Sequence, residues 1–414
     1  MGPTKRGAKW PVLATFLSLV LLCAGCGEFN IKPEPTRTVA AQDAIYEVKA
    51  SEYISLRKTA SDDGERIAKL YVGERMRCLG FEGKFMLVEA LKSGLTGYVN
   101  AGYANRANAD TTQQIPGIVQ QTGEDYTYER LLRDIEALRR AYPGRFAVKS
   151  LGTTADGRDI PLCIVGSETA KHKVLVTAAI HAREHMTALL AAKQMEQAAH
   201  AQSTAYGDIA FYVVPMLNPD GVTLCQLGPQ AIRDEDLRAL VESIMKKKHV
   251  KPSDWKSNAR GVDLNRNFDV DWNALLNKGP SFERYRGETP FSEAETKGIF
   301  RLMNEVSFDV TISYHSTGSI MYWRYKQDGK LLARTGALAD VIYRATGYPP
   351  ATTESEEGLE GGGLKDWAIM DRGVPSLTLE VGSLSAPLNA DEWPVIWQRN
   401  SSVYAALAAF VSSK

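Results

Sequence analysis

Net charge is the first thing missing. Lys and Arg together number 49 and Asp and Glu together number 49, which argues against a nucleic-acid binder working through a basic surface. Cysteine is scarce, five in 414 residues, so no disulfide framework is supported. The apolar run nearest the N-terminus, Val12–Leu22, has 11 residues, whereas a bilayer core needs about 20. No heptad run and no internal repeat occurs, which excludes a coiled-coil rod and a solenoid. What is present is ordinary: 44% hydrophobic and 24% charged residues, a composition that packs a core and excludes wholesale disorder. The length predicts two or three folded units.

Lys5, Arg6 and Lys9 precede the apolar run, the pattern of an export signal over residues 1–25. Leu22-Cys23-Ala24-Gly25-Cys26 resembles a bacterial lipobox, with Cys26 as the lipidated residue, although Cys23 stands where leucine is usual. The expectation is a chain exported and lipid-anchored to the outer face of the cytoplasmic membrane, with plain secretion as the alternative. Cys78, Cys163 and Cys225 remain. The latter two flank or sit in apolar runs, and buried free thiols are expected.

Residues 26–44 contain Lys-Pro-Glu-Pro and little apolar periodicity, which reads as a tether. Over 45–105 short apolar runs alternate with turn signals, predicting a small all-β barrel. Ile54-Ser-Leu-Arg57, Val72-Gly-Glu74 and Thr96-Gly-Tyr-Val99 follow one another in it. That order resembles a bacterial SH3-type domain, and the resemblance implies binding to cell-wall peptides; an inert spacer is the alternative. Residues 106–122 read as a linker. From 123 to 414 strands alternate with helices. Val174–Ile180, Ile209–Val214, Val310–Tyr314 and Leu377–Val381 are strand-like. Tyr126–Tyr142, Met186–Ala201, Phe291–Val306, Leu331–Thr346 and Ile396–Val411 are helical. One α/β domain is expected, with residues 228–253 as a helical insertion.

His181-Ala-Arg-Glu184-His185 is the sharpest local feature. On a helix, His181 and His185 would share a face and bind zinc, with Glu184 as base. At the end of a strand, His181 and Glu184 would be two ligands and a distant His the third. The β-branched residues before the motif favour the strand, and binding sites gather at strand carboxyl ends in open α/β sheets. His315 also follows a strand-like run and is the expected third ligand. Two imidazoles and a carboxylate suit one zinc ion with a position open for water or substrate.

Thr177–Glu184, Pro215–Gly221, Asn258–Phe268, Ser313–His315 and Leu377–Gly382 together resemble the zinc metallocarboxypeptidases, the carboxypeptidase A-like enzymes. The resemblance spans most of residues 125–410 and implies a mixed sheet flanked by helices. It implies Glu380 as general base, Arg260 as the cation polarising the scissile carbonyl, and Asn265 and Arg266 as the grip on the substrate's free carboxylate. AAIHAREHMT, WKSNARGVDLNRNF, SYHSTGSIMYW and GGGLKDWAI are closer to the bacterial branch of γ-D-glutamyl–meso-diaminopimelate peptidases. That similarity implies peptidoglycan stem peptides as substrate. Lys365, just before Asp366-Trp367, lies at the family's side-chain pocket, and a lysine there suits an acidic group. No tyrosine occurs in 349–380, and Gly358 stands where the digestive enzymes carry a mobile one. The alternatives are a zinc carboxypeptidase acting on ordinary peptides and, in another class, a non-catalytic wall-binding lipoprotein.

Overall fold

The computed structural model describes residues 45–50, 52–106, 117–123, 125–277, 279–352, 361–383 and 385–413. The export signal, the tether, Cys26 and Gly358 therefore lie outside the described residues, as do linker residues 107–116. No helix among the described residues is long and apolar enough to cross a membrane.

The N-terminal segment forms an antiparallel sheet of seven strands: β1 (Ile45–Val48), β2 (Tyr53–Arg57), β3 (Arg66–Tyr71), β4 (Arg75–Glu82), β5 (Phe85–Ala90), β6 (Thr96–Asn100) and β7 (Ala104–Arg106). Alternation sends Met76 and Cys78 of β4, and Met86 and Val88 of β5, into one small core with Leu56 and Val99, as strand periodicity requires. Lys92, after β5, pairs with Glu74 at 3.1 Å and lies 4.6 Å from the Tyr343 ring in the larger domain. The expected linker ends early: Val119 is buried, and Glu196 accepts the Ile118 and Val119 amides at 3.0 and 3.3 Å.

The larger domain is built on a second seven-stranded sheet. Its strands are β8 (Phe146–Thr153), β9 (Asp159–Val165), β10 (His172–Thr177), β11 (Ile209–Val214), β12 (Val310–His315), β13 (Ile320–Tyr322) and β14 (Ser376–Glu380). They lie in the order β13-β14-β12-β10-β11-β9-β8. The four central strands are parallel and the edge pairs antiparallel. Every residue of β11 and β12 is buried, because helices cover both faces. Val174, Val176, Phe211, Val213, Ile312 and Leu377 point to one face. Leu175, Ala210, Tyr212 and Val214 point to the other.

Among the described residues the domain also has helices α1 (Tyr128–Ala141), α2 (Met186–Ala205), α3 (Pro219–Leu227), α4 (Glu235–Lys248), α5 (Ala294–Glu305), α6 (Gly329–Thr346), α7 (Leu364–Met370), α8 (Trp393–Asn400) and α9 (Val403–Ser412). Leu131, Ile135 and Leu138 of α1, spaced at three and four, pack on the first face. Ile299 and Leu302 of α5 and Trp367 of α7 pack on the second. Thr127 caps α1 by accepting the Arg130 amide, and Asp234 caps α4 by accepting the Leu237 amide. The mixed α/β architecture expected from the sequence is the one observed. One expected helix, 396–411, is two: the chain breaks at Ser401-Ser402. Asn400, fully buried, turns its amide to Tyr348 Oη at 2.9 Å.

Candidate active site and metal centre

Parallel pairing brings the carboxyl ends of β10, β12 and β14 to one edge of the sheet. Thr177 pairs with Ser313, and His315 pairs with Glu380. Beyond β10 the chain leaves the sheet. His181 has extended backbone angles and Ala182–Glu184 forms one tight turn before α2 begins at Met186. His181 is therefore not on a helix, which excludes the arrangement with both histidines on one helical face. His185 Nδ1 has no hydrogen-bond partner among the described residues and is not part of the cluster.

His181, Glu184 and His315 converge, all three buried. His181 Nδ1 lies 2.8 Å from Glu184 Oε1, His315 Nδ1 lies 3.0 Å from Glu184 Oε2, and the two Nδ1 atoms are 3.2 Å apart. Zinc bonds of about 2.0–2.1 Å in tetrahedral array separate neighbouring donors by roughly 3.3–3.4 Å. The observed separations, which involve both Glu184 oxygens, fall roughly 0.1–0.6 Å short of that. A carboxylate and two imidazole nitrogens turned toward one another make a donor set that fits the ion. The imidazoles hold the Glu184 carboxyl below the usual range, against a burial that would raise it. The Ser316 amide donates to Glu184 Oε2 at 3.3 Å.

Behind the triad stands Asp263, a residue the motif reading passed over. Its Oδ1 is 3.3 Å from His181 Nε2 and accepts the Asn265 amide at 3.1 Å; its Oδ2 accepts the Arg284 amide at 2.9 Å. A carboxylate behind a ligating histidine fixes the ring's tautomer and orientation. Burial would raise the Asp263 carboxyl, but His181, Arg266 and Lys256 together hold it well below the carboxylate range. Its place between Val262 and the Leu-Asn-Arg turn was visible in the sequence, but its partner was not.

Glu380 ends β14 beside His315. Burial pushes its carboxyl up to about 7; His315 opposes this, Glu184 adds to it and Lys256 opposes it. A carboxyl poised near neutrality can both take and return a proton.

Asn265 and Arg266 sit in a tight turn, Leu264–Arg266. Asn265 Oδ1 accepts the Leu364 amide at 3.0 Å, leaving its Nδ2 to donate, and Arg266 Nη1 donates to the Asn265 carbonyl at 2.8 Å. Lys365, at the start of α7, is buried. Its Nζ donates to the Arg324 carbonyl at 2.7 Å and lies 2.5 Å from Asp366 Oδ1 and 5.6 Å from the Tyr325 ring centre. Arg266 acts electrostatically on Asp366, so Lys365, Asp366 and the Asn265–Arg266 turn form one neighbourhood.

Arg260 lies apart from this neighbourhood in the structure. Asn258 to Gly261 forms a reverse turn: the Gly261 amide donates to the Asn258 carbonyl at 3.0 Å, and Asn258 Oδ1 accepts the Arg260 and Val262 amides. Gly261 has φ of +69°, which favours glycine there. Arg260 at the tip of the turn is 56% exposed and its Nε is 3.8 Å from Glu293 Oε2. It lines a cleft of about 310 Å³ with Thr154, Ser292, Lys297 and Arg301. None of the triad lines that cleft, and neither does Glu380.

Residues 131–400 match the family model described as zinc carboxypeptidase. The chain is 27% identical over 299 residues to the γ-D-glutamyl-L-diamino acid endopeptidase 1 of Lysinibacillus sphaericus, covering 68% of this chain and 72% of that one. It is 25% identical over 245 residues to human mast cell carboxypeptidase A, covering 56% and 54%. Its fold is similar to that of bovine thrombin-activatable fibrinolysis inhibitor, with a TM-score of 0.58 at 20% identity, covering 70% of this chain and 99% of that one. It is also similar to carboxypeptidase A from Helicoverpa armigera, with a TM-score of 0.54 at 16% identity, covering 90% and 98%. With a family model spanning well over half its length and a His-Glu-His cluster able to hold the ion, this chain belongs to the zinc carboxypeptidase family and is a zinc metallopeptidase.

Proposed function

We propose that this enzyme hydrolyses the bond between γ-D-glutamate and meso-diaminopimelate in peptidoglycan stem peptides. The observation that carries the reading is Lys365, a buried cation beside the Asn265–Arg266 turn, in a chain similar to a γ-D-glutamyl-L-diamino acid endopeptidase. Lysine has three N–H donors; one goes to the Arg324 carbonyl, and the ammonium is ion-paired with Asp366 Oδ1. A remaining donor is left for a carboxylate on the side chain of the residue after the cut.

His181, Glu184 and His315 would hold the zinc ion. Bound there, zinc supplies Lewis acidity and a water whose pKa falls toward about 7. Arg266 and the Asn265 amide grip the main-chain carboxylate at the substrate's end, the guanidinium binding it as a fork. Glu380 takes the proton of the attacking water and delivers it to the departing amine.

The strands over 45–106 suit an SH3-type unit that holds the enzyme on cell-wall peptides, and Cys26 suits a lipid anchor in the membrane. Binding of the full chain to purified wall sacculi, and labelled fatty-acid incorporation lost in Cys26→Ala, test these two placements.

The substrate is tested with L-Ala-γ-D-Glu-meso-diaminopimelate, the same tripeptide ending in L-lysine, and an ordinary peptide of L-residues. The diaminopimelate form should be cut fastest, at the γ-glutamyl bond, with products identified by mass. A second reading rests on the Lys365–Asp366 pair: if Asp366 consumes the cation fully, the pocket is neutral and the enzyme is a general carboxypeptidase. Preferential removal of the C-terminal residue from the ordinary peptide would establish that reading instead.

A further inference from the structure

Opposite charges stand side by side on the first turn of α7. Lys365 Nζ lies 2.5 Å from Asp366 Oδ1, and both side chains are buried. We infer that Asp366 binds the ammonium on the distal carbon of diaminopimelate while Lys365 binds the carboxylate on that same carbon. The pocket then recognises a free amino-acid head, not merely an acidic group. This rests on the stem-peptide reading above and adds a requirement to it: the distal amine must be unacylated.

The turn carrying the pair is stitched to the turn carrying Asn265 and Arg266. The Leu364 amide donates to Asn265 Oδ1 at 3.0 Å, the Phe268 amide to the Gly362 carbonyl at 3.0 Å, and the Gly362 amide to the Val270 carbonyl at 2.6 Å. Gly362 has φ of +81°, and a Cβ on it would stand 2.6 Å from the Arg266 carbonyl oxygen; only glycine permits this approach. Gly363 locates the carboxylate. A Cβ there would stand 3.0 Å from Asp366 Oδ2 and 3.4 Å from Asn265 Oδ1. Asp366 thus turns one oxygen to Lys365 and the other toward the Asn265 side chain.

A second carboxylate, Asp271, lies in this neighbourhood but is already engaged: Tyr325 Oη and Lys326 Nζ both donate to its Oδ2. Asp366 Oδ1 touches Lys365 but, although buried, accepts no hydrogen bond of good geometry among the described residues. A carboxylate has about four lone-pair sites, so Asp366 retains capacity for a further cation.

Substrate chemistry matches this pair. In meso-diaminopimelate three methylenes separate the distal carbon from the α-carbon, roughly 5 Å when extended at about 1.5 Å per C–C bond. The distal carbon bears an ammonium and a carboxylate together. A lone carboxylate would meet Lys365 but also face Asp366, and a lone ammonium would meet Asp366 but face Lys365; like charges so placed oppose binding. Only a group carrying both charges satisfies the two side chains at once.

The test uses four tripeptides, L-Ala-γ-D-Glu followed by meso-diaminopimelate, by L-2-aminopimelate, by L-lysine, or by meso-diaminopimelate acetylated on its distal amine. The second lacks the distal amine and the third the distal carboxylate. Cleavage at the γ-glutamyl bond is measured as kcat/KM for wild type and Asp366→Asn, with zinc content and melting temperature alongside. Wild type should prefer the first peptide at least about tenfold over each of the others, the worth of one charged hydrogen bond. Asp366→Asn should erase the gap between the diaminopimelate and 2-aminopimelate peptides and leave the lysine peptide poor. A packing defect would lower all four rates together and leave their ratios unchanged, which would overturn the inference. If Asp366→Asn does not fold, Lys365→Met/Asp366→Asn, which strands neither charge, is read instead and should cut the first two peptides equally. Equal rates on those two peptides by wild type would also overturn the inference, while leaving the stem-peptide reading in place. Cleavage of none of the four, with turnover of an ordinary peptide, would overturn both.

Discussion

Oδ1 of Asp263 stands 3.3 Å from Nε2 of His181 while accepting the amide of Asn265 at 3.1 Å. One carboxylate thus orients a metal ligand and fixes the turn that presents Asn265 and Arg266. With the roles proposed for Asn265 and Arg266, metal affinity and substrate grip would be coupled through this residue.

Asp263→Asn should therefore weaken both. Loss of a carboxylate behind a ligating histidine typically costs 10–100-fold in metal affinity or activity. Zinc affinity measured against a competing chelator should fall within about that range, and KM should rise at saturating zinc. Unchanged zinc affinity would show that His181 is oriented by its backbone alone.

Glu380→Gln keeps the shape of the side chain and removes its ability to take a proton. The rate should fall on the order of 10²–10⁴, with zinc content unchanged because Glu380 lies outside the His181–Glu184–His315 cluster. Glu184→Gln should instead lower zinc content. Equal zinc loss in the two variants would mean that the ligand and base roles are wrongly divided.

Chelation should abolish hydrolysis, and zinc should restore it. The fold should persist, because the sheet is buried on both faces by two large apolar clusters that need no ion. Circular dichroism of the metal-free protein checks this; a collapse of the far-UV signal would show that the site is part of the folding core.

Lys365→Met should lose the preference for diaminopimelate over lysine at the substrate's end. A hydrogen bond to a charged group contributes about 1.5–3 kcal/mol, or roughly tenfold or more in kcat/KM. The same variant strands buried Asp366, and breaking a buried pair costs about 3–5 kcal/mol. The double variant Lys365→Met/Asp366→Asn should regain stability without regaining the preference, separating pocket from packing.

Glu295 predicts a pH dependence of stability. It is 1% exposed. Burial, with Asp220 and Glu293 nearby, pushes its carboxyl from 4.5 up to about 8. Between those values the folded state binds the proton more than the unfolded state does, so stability falls as pH rises. The contribution is fully present below about pH 4.5 and lost by about pH 8. Glu295→Gln cannot ionise, so its melting temperature should decline less than wild type over that window. Parallel curves for the two proteins would show that Glu295 titrates normally.

Much of the peptidase domain was legible from the residues. Ile209–Val214 is a strand with the expected bounds, because six consecutive apolar residues between turn signals suit a strand buried on both faces. Helix α1 was readable from its three- and four-residue apolar spacing. Strands β8 and β9 were not read. β9 is apolar but contains Pro161, and β8 exposes Ala147 to Ser150 on the outer edge of the sheet, so neither shows simple alternation. In the site, His181, Glu184 and His315 could be named because a strand end followed by a tight turn is a local pattern.

The surroundings of the two basic residues between Trp255 and Gly261 were not local. Lys256 and Arg260 lie four residues apart in one motif, and no spacing rule separates them. The difference comes from the Asn258–Gly261 turn, which carries Arg260 out to solvent and Glu293, and from the Ala182 amide donating to the Lys256 carbonyl, which holds the Lys256 backbone beside the ligand turn. The pairing of Asp263 with His181 is of the same kind. Residue types set what each group can do; the distances that decide whether it is free, paired or aimed at substrate arise only when segments remote in sequence pack together.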